Sequence, residues 1–120
     1  MLTVEIVAAP GEERPEGLAR HLADAASQVL ESRPQGCWVR LSWREARDYA
    51  ESAGGPPDGV YPVFCTVLLA RRPRGERLRA QARQLTTAIA EVTGRPADNV
   101  HLLYEPQGAG RVVFGGTLVD

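Results

Sequence analysis

The stretch PVFCTVLLARRPRGERLRAQARQLTTAIAEVTGRPADNVHLLYE, residues 62 to 105, reads as a strand, a helix and a second strand in succession. Its opening VFCTVLLA is almost continuously apolar, which predicts a strand buried on both faces. In the middle, Leu78, Ala82, Leu85, Ile89 and Val92 recur at intervals of three and four, the stripe of an amphipathic helix. Gly94 stands where a C-terminal cap belongs, and Pro96 follows just beyond it. A strand from Val100 to Glu105 closes the unit.

Working backwards, the first half repeats this order. Residues 2 to 8 (LTVEIVA) place Leu2, Val4, Ile6 and Ala8 on one face of a half-buried strand. Leu18, Leu22, Ala25, Ala26, Val29 and Leu30 then share a helical stripe, with Pro15 expected in the first turn and Pro34 expected to end the helix. Residues 38 to 43 (WVRLSW) alternate again, with Val39, Leu41 and Trp43 opposite Trp38, Arg40 and Ser42. A shift of 61 pairs Val39 with Val100, Leu41 with Leu102, Trp43 with Tyr104 and Arg40 with His101, and it sets Met1 opposite Pro62.

A crossover between strands of one sheet returns parallel and right-handed. The expected fold is therefore α/β in the α+β sense: two tandem β-α-β units forming a four-stranded sheet with two helices on one face. The chain, residues 1–120, is expected to be a single domain of two pseudo-repeats, about 1–51 and 61–117, joined by the turn-rich linker 52–60 (SAGGPPDGV). Apolar side chains on the uncovered sheet face would favour association through that face. The glycines of GAGRVVFGG, residues 108 to 116, open no helix and fit a closing β-hairpin rather than a dinucleotide loop.

Composition narrows the function classes. The 120 residues are 43% hydrophobic, enough for an ordinary core. No apolar run approaches the roughly 20 residues a bilayer needs, and no secretory leader opens the sequence, so a cytoplasmic protein with no membrane partner is expected. Two cysteines, Cys37 and Cys65, form no disulfide framework, and with His21 and His101 they lack zinc-site spacing; no metal and no cofactor are expected. All 14 basic residues are arginine, so the Met1 α-amine is the only aliphatic amine. Residues 1–60 carry six arginines against ten acids, residues 61–120 eight against five, so anion-binding potential lies in the second half.

The proline-headed strand, the arginines after it, the helix ending near Gly94, the strand NVHLLYE and the terminal GRVVFGG together resemble the tautomerase superfamily, which includes 4-oxalocrotonate tautomerase. The doubled length and the run ARRPRGE, residues 70 to 76, look like malonate semialdehyde decarboxylase and, more loosely, cis-3-chloroacrylic acid dehalogenase. The resemblance spans nearly the whole chain. It implies a tautomerase/MIF-like fold, a homotrimer, and pockets near the N-terminus for small 2-oxo, enol or unsaturated carboxylates. It also implies that arginines hold the substrate carboxylate; Arg72 and Arg74 match those flanking the proline of the segment. Arg40 falls where some single-unit members place a further substrate-binding arginine, and His101 departs from that pattern. The decarboxylase's water-activating aspartate has no counterpart, Trp38 or a neighbour occupying its region.

Residue 1 departs further, because the family's acid or base is the secondary amine of an N-terminal proline. Pro62 cannot replace it, since an internal proline nitrogen is a delocalised amide. Met1, expected to be retained ahead of bulky Leu2, offers a primary amine with an ordinary pKa of about 7.7 to 8.0, which nearby guanidinium groups would lower. It could serve as general base or form a Schiff base; otherwise it is the solvated start of an edge strand.

The candidate catalytic residues are therefore Met1, Arg72 and Arg74, and the candidate substrate-binding residues are Arg40, His101 and Trp38. Against these stand a solvated basic loop for the arginines, an intersubunit salt bridge for Arg40, and plain packing for His101 and Trp38. Glu45 and Glu105, near repeat equivalents, are either polarising groups or solvated strand-end carboxylates. The expected function is an enzyme isomerising, cyclising or adding to a small 2-oxo, enol or unsaturated carboxylic acid without a catalytic proline. The alternative is a noncatalytic binding or assembly subunit on the same scaffold. Nucleic-acid binding by the six arginines from Arg71 to Arg83 is disfavoured by Glu76 among them, by the net charge of -1, and by the lack of a reading module.

Overall fold

The computed structural model describes residues 1–120. Strand β1 (Leu2–Val7) is followed by helix α1 (Leu18–Leu30) and β2 (Val39–Arg44); β3 (Val63–Val67) is followed by α2 (Gly75–Thr93) and β4 (Val100–Tyr104). Two short strands, β5 (Val113–Phe114) and β6 (Thr117–Leu118), pair as the C-terminal hairpin. The main sheet has the order β2-β1-β3-β4. β1 and β2 run parallel, as do β3 and β4, and the two units meet through antiparallel β1 and β3.

This order puts the first strand of each unit in the centre. Leu2, Val4, Ile6, Val63, Cys65 and Val67 are all at most 1% exposed and form the core with Leu18, Leu22, Ala26, Leu85 and Ile89 of the helices. Each Leu or Ile among them contributes on the order of 1.5–3 kcal/mol through burial. No helix is long and apolar enough to cross a membrane.

Three local expectations shift. Helix α1 starts at Leu18, after Gly17 in the left-handed region (φ 73), so Pro15 precedes the helix rather than lying in its first turn. α1 stops after Leu30, where Glu31 takes a left-handed conformation (φ 52) and donates its N–H to Ser27 O; the chain has turned before Pro34 is reached. In β3 the burial alternates, with Val63, Cys65 and Val67 buried but Phe64 and Thr66 half-buried, because helices cover only one face. That uncovered face is largely polar, carrying Thr3, Glu5, Arg40, Ser42, Arg44, Thr66 and His101 beside Phe64 and Leu103. Its one strongly exposed apolar side chain is Leu103, at 65%.

Candidate functional site

Leu2 N donates to Trp38 O at 2.8 Å and Leu68 N donates to Met1 O at 2.9 Å, so the chain's first residue is clamped between the approach to β2 and the exit of β3. The Met1 ammonium donates to Leu68 O at 2.7 Å. Around it lies a cleft of about 420 Å³, ten of whose fifteen lining residues are hydrophobic. Its lining comes from the loop before β2 (Ser32, Arg33 and Gln35–Trp38), from Leu68–Ala70 after β3, and from Gly108, Val112, Phe114 and Val119 of the C-terminal segment.

The C-terminal segment reaches that position by extending the sheet: Gly108 N donates to Leu69 O (2.7 Å) and Ala109 N to Ala70 O (3.0 Å). The hairpin then closes back, with Gly110 N on Val119 O (2.7 Å). Phe114 meets Trp38 edge to face with ring centroids 5.0 Å apart, forming the cleft's aromatic lip. Trp38 Nε1–H donates to Gln35 O at 3.0 Å, which fixes the indole despite its 52% exposure.

Burial sets the electrostatics. Desolvation lowers the Met1 ammonium from its ordinary 8.0, partly opposed by the neighbouring Cys37 and Cys65 thiols. Desolvation raises the thiol of Cys37, which is half-buried on the cleft wall, and lifts that of buried Cys65 to about 12. The one ionised side chain in the lining is Arg33, which has no carboxylate partner in the chain. Arg33 sits in a tight turn in which Gly36 N donates to Arg33 O at 2.9 Å. A Cβ on Gly36 would lie 2.9 Å from Arg33 Cγ, so glycine there gives the arginine its room.

The sequence candidates separate into four places. Met1 and Trp38 meet in this cleft. Arg72 lines an adjacent groove of about 580 Å³ with Arg71, Pro73, Arg77 and Glu31, between the end of α1 and the start of α2. Arg74 is exposed at the N-cap of α2 and lines neither cavity. Arg40 and His101 are exposed on the uncovered sheet face, where His101 tilts against Phe64 at 5.5 Å. No group of three or more His, Cys, Asp or Glu side chains is arranged to hold a metal ion.

Sequence reasoning missed Arg33, Cys37 and Phe114. A signal for Arg33 existed: Arg33-Pro34 and Arg95-Pro96 occupy the same place in each unit, between helix and second strand. Arg95 is saturated. Its guanidinium donates to both oxygens of Glu12 (2.8 Å each), to Val7 O (2.8 Å) and to Tyr61 O (2.9 Å). Tyr61 is the residue before Pro62, the repeat mate of Met1. In the first unit the corresponding arginine, Arg33, lines the cleft together with Met1.

No family model and no curated protein matches the sequence. Solved structures do match in three dimensions. A wild-type fused 4-OT symmetric trimer is similar with a TM-score of 0.76 at 18% identity, over 98% of this chain and 94% of that one. Pt0534 inactivated by 2-oxo-3-pentynoate gives 0.73 at 18% identity, over 98% and 95%. Macrophage migration inhibitory factor from Oncomelania hupensis gives 0.72 at 22% identity, over 99% and 81%. The chain thus has the tautomerase/MIF fold.

Proposed function

We propose that this chain is an enzyme of the tautomerase type that moves a proton within a small 2-oxo or enol carboxylic acid, with the Met1 amine as acid and base. The observation that carries this reading is the half-buried amine, held by Leu68 O in a cleft with one unpaired guanidinium. Because burial lowers its pKa below 8.0, more of the amine is unprotonated near neutrality than in a solvated chain end. The amine takes the enol hydroxyl proton and returns a proton to the adjacent carbon, giving the keto acid. A ligand carboxylate pairs with Arg33, as Glu12 pairs with Arg95 in the other unit. The apolar tail lies against Trp38, Val112 and Phe114.

The protein of similar fold inactivated by 2-oxo-3-pentynoate supports a 2-oxo acid ligand. The symmetric fused 4-OT trimer supports a homotrimer, which would cover apolar surface at Leu103, Val113 and Leu118. In such an assembly Arg40, His101, Arg72 and Arg74 are the side chains available to complete a neighbouring protomer's cleft. No metal, cofactor or nucleic acid enters this reading.

The test is ketonisation of an enolised 2-oxo acid, followed by loss of enol absorbance. Turnover should exceed buffer and drop by about 10²-fold or more when the α-amine is acetylated, the usual contribution of a positioned acid-base group. Saturable binding of the acid with no turnover in either sample would leave the noncatalytic binding subunit as the function.

A further inference from the structure

Two groups able to attack carbon line the same cleft, and the proton transfer above uses only one. Cys37 follows the Arg33–Gly36 turn and its half-buried thiol shares the cavity wall with the Met1 amine. The main chain brings them side by side, since Leu2 N is bonded to Trp38 O at 2.8 Å, one residue beyond each. The other thiol, Cys65, is 1% exposed in the core and lines no cavity described above. Cys37 packs partly against the core, and its Sγ is free, making no hydrogen bond and no disulfide. The cleft is predominantly apolar, and the amine's hydrogen bond to Leu68 O uses a proton, leaving the nitrogen lone pair of the neutral form free.

We infer that this cleft is a two-point covalent site for small α,β-unsaturated aldehydes, with Cys37 taking the β-carbon and the Met1 amine taking the carbonyl carbon. The Cys37 sulfur forms a bond to the β-carbon as the carbon–carbon π bond breaks, and the thiol proton ends on the α-carbon. The amine adds to the carbonyl, both of its protons leave with the carbonyl oxygen as water, and a carbon–nitrogen double bond remains. No oxidant or reductant is consumed, and the product is the protein plus the aldehyde less one water. Two attachment points at the ends of a three-carbon unit let the aldehyde bridge amine and thiol across the cavity. This shares the unprotonated Met1 amine with the proposed reaction but needs no turnover, so each can fail alone.

The chain lacks lysine, so an imine can form only at Met1. The folded protein is treated with but-2-enal, reduced with cyanoborohydride to fix the imine, cleaved at arginine and examined by mass spectrometry. The expected product is the peptide bearing Met1 joined to the peptide bearing Cys37 through one aldehyde. The joined species should be lost in Cys37→Ser and after acetylation of the α-amine, the acetylated protein keeping only a thiol adduct. Cys37→Ala, which keeps a small apolar side chain, should lose it as well while retaining the unfolding midpoint of the unmodified chain, which separates loss of the thiol from misfolding. Separate adducts on Met1 and Cys37 with no joined peptide, or labelling of Cys65 equal to that of Cys37, would overturn the inference, whatever the outcome of the ketonisation assay.

Discussion

The two β-α-β units use the same Arg-Pro step for opposite ends. In the second unit Arg95, whose side chain is only 12% exposed, ties the end of α2 to Glu12, to the end of β1 and to Tyr61 just ahead of β3. In the first, Arg33 has no carboxylate and faces a cleft. Around Arg95 the Glu12 carboxylate and the Tyr61 carbonyl accept the guanidinium's hydrogen bonds, whereas the cleft that Arg33 lines holds the Met1 amine. One of the two arginines is thus paired across the units with a carboxylate of the chain, and the other is not.

The strongest way to break this contrast is Arg95→Met. It leaves Val7 O and Tyr61 O without their donor and Glu12 unpaired, and thermal or urea unfolding should register a loss of about 3 kcal/mol, typical of hydrogen bonds to a charged group. Arg33→Met should do the reverse: stability should stay within about 0.5 kcal/mol, as for an exposed unpaired side chain. KM for the 2-oxo acid should rise about tenfold through loss of a charge-assisted contact. If Arg33→Met unfolds the protein as readily as Arg95→Met, the two arginines are both structural and the contrast fails.

Acidity distinguishes the same two places. Arg95 holds the Glu12 carboxyl below its ordinary 4.5, so that contribution to stability is present above this value and fades as the pH falls through the depressed pKa. Glu12→Gln should flatten the acid limb of a stability-against-pH curve. At the other end the Met1 ammonium is the disfavoured form, so folding gains as the pH rises toward 8.0 and the amine deprotonates. The limb of kcat/KM set by that amine should therefore fall below pH 8.0; a limb at or above it would place the amine in solvent.

The smallest effect concerns the helix ends. α2 terminates on Gly94 in the left-handed region (φ 70), while α1 terminates on Glu31 at φ 52, where a side chain is strained. Glu31→Gly should raise stability by about 1 kcal/mol, measured by denaturant midpoint, making the two units more alike at that point.

The architecture was legible because apolar periodicity reports directly on which face meets the core. Leu18, Leu22 and Ala26, and Leu85 with Ile89, are the buried helical positions, and Gly94 caps α2 as its place in the sequence indicates. Helix α1 was harder to bound, since its ends rest on Gly17 and Glu31 rather than on the nearby prolines. The site was less legible for a physical reason. Met1 and Trp38 are joined by strand pairing that the repeat foretells, but Arg33 and Cys37 lie in a loop with no periodicity, and Phe114 arrives from a hairpin far along the chain. Charge counting drew attention to Arg72 and Arg74, in the richer half; the guanidinium on the cleft wall comes from the more acidic half.

The clamp on Met1 also bears on how the protein should be handled. An affinity tag joined ahead of Met1 would turn the amine into an amide and add chain beside the cleft that Met1 lines. A tag after Asp120 starts two residues beyond Val119, which lines the same cavity. Preparations bearing either extension would report on a plugged or crowded vessel, and a traceless amino end is the form in which to look for chemistry.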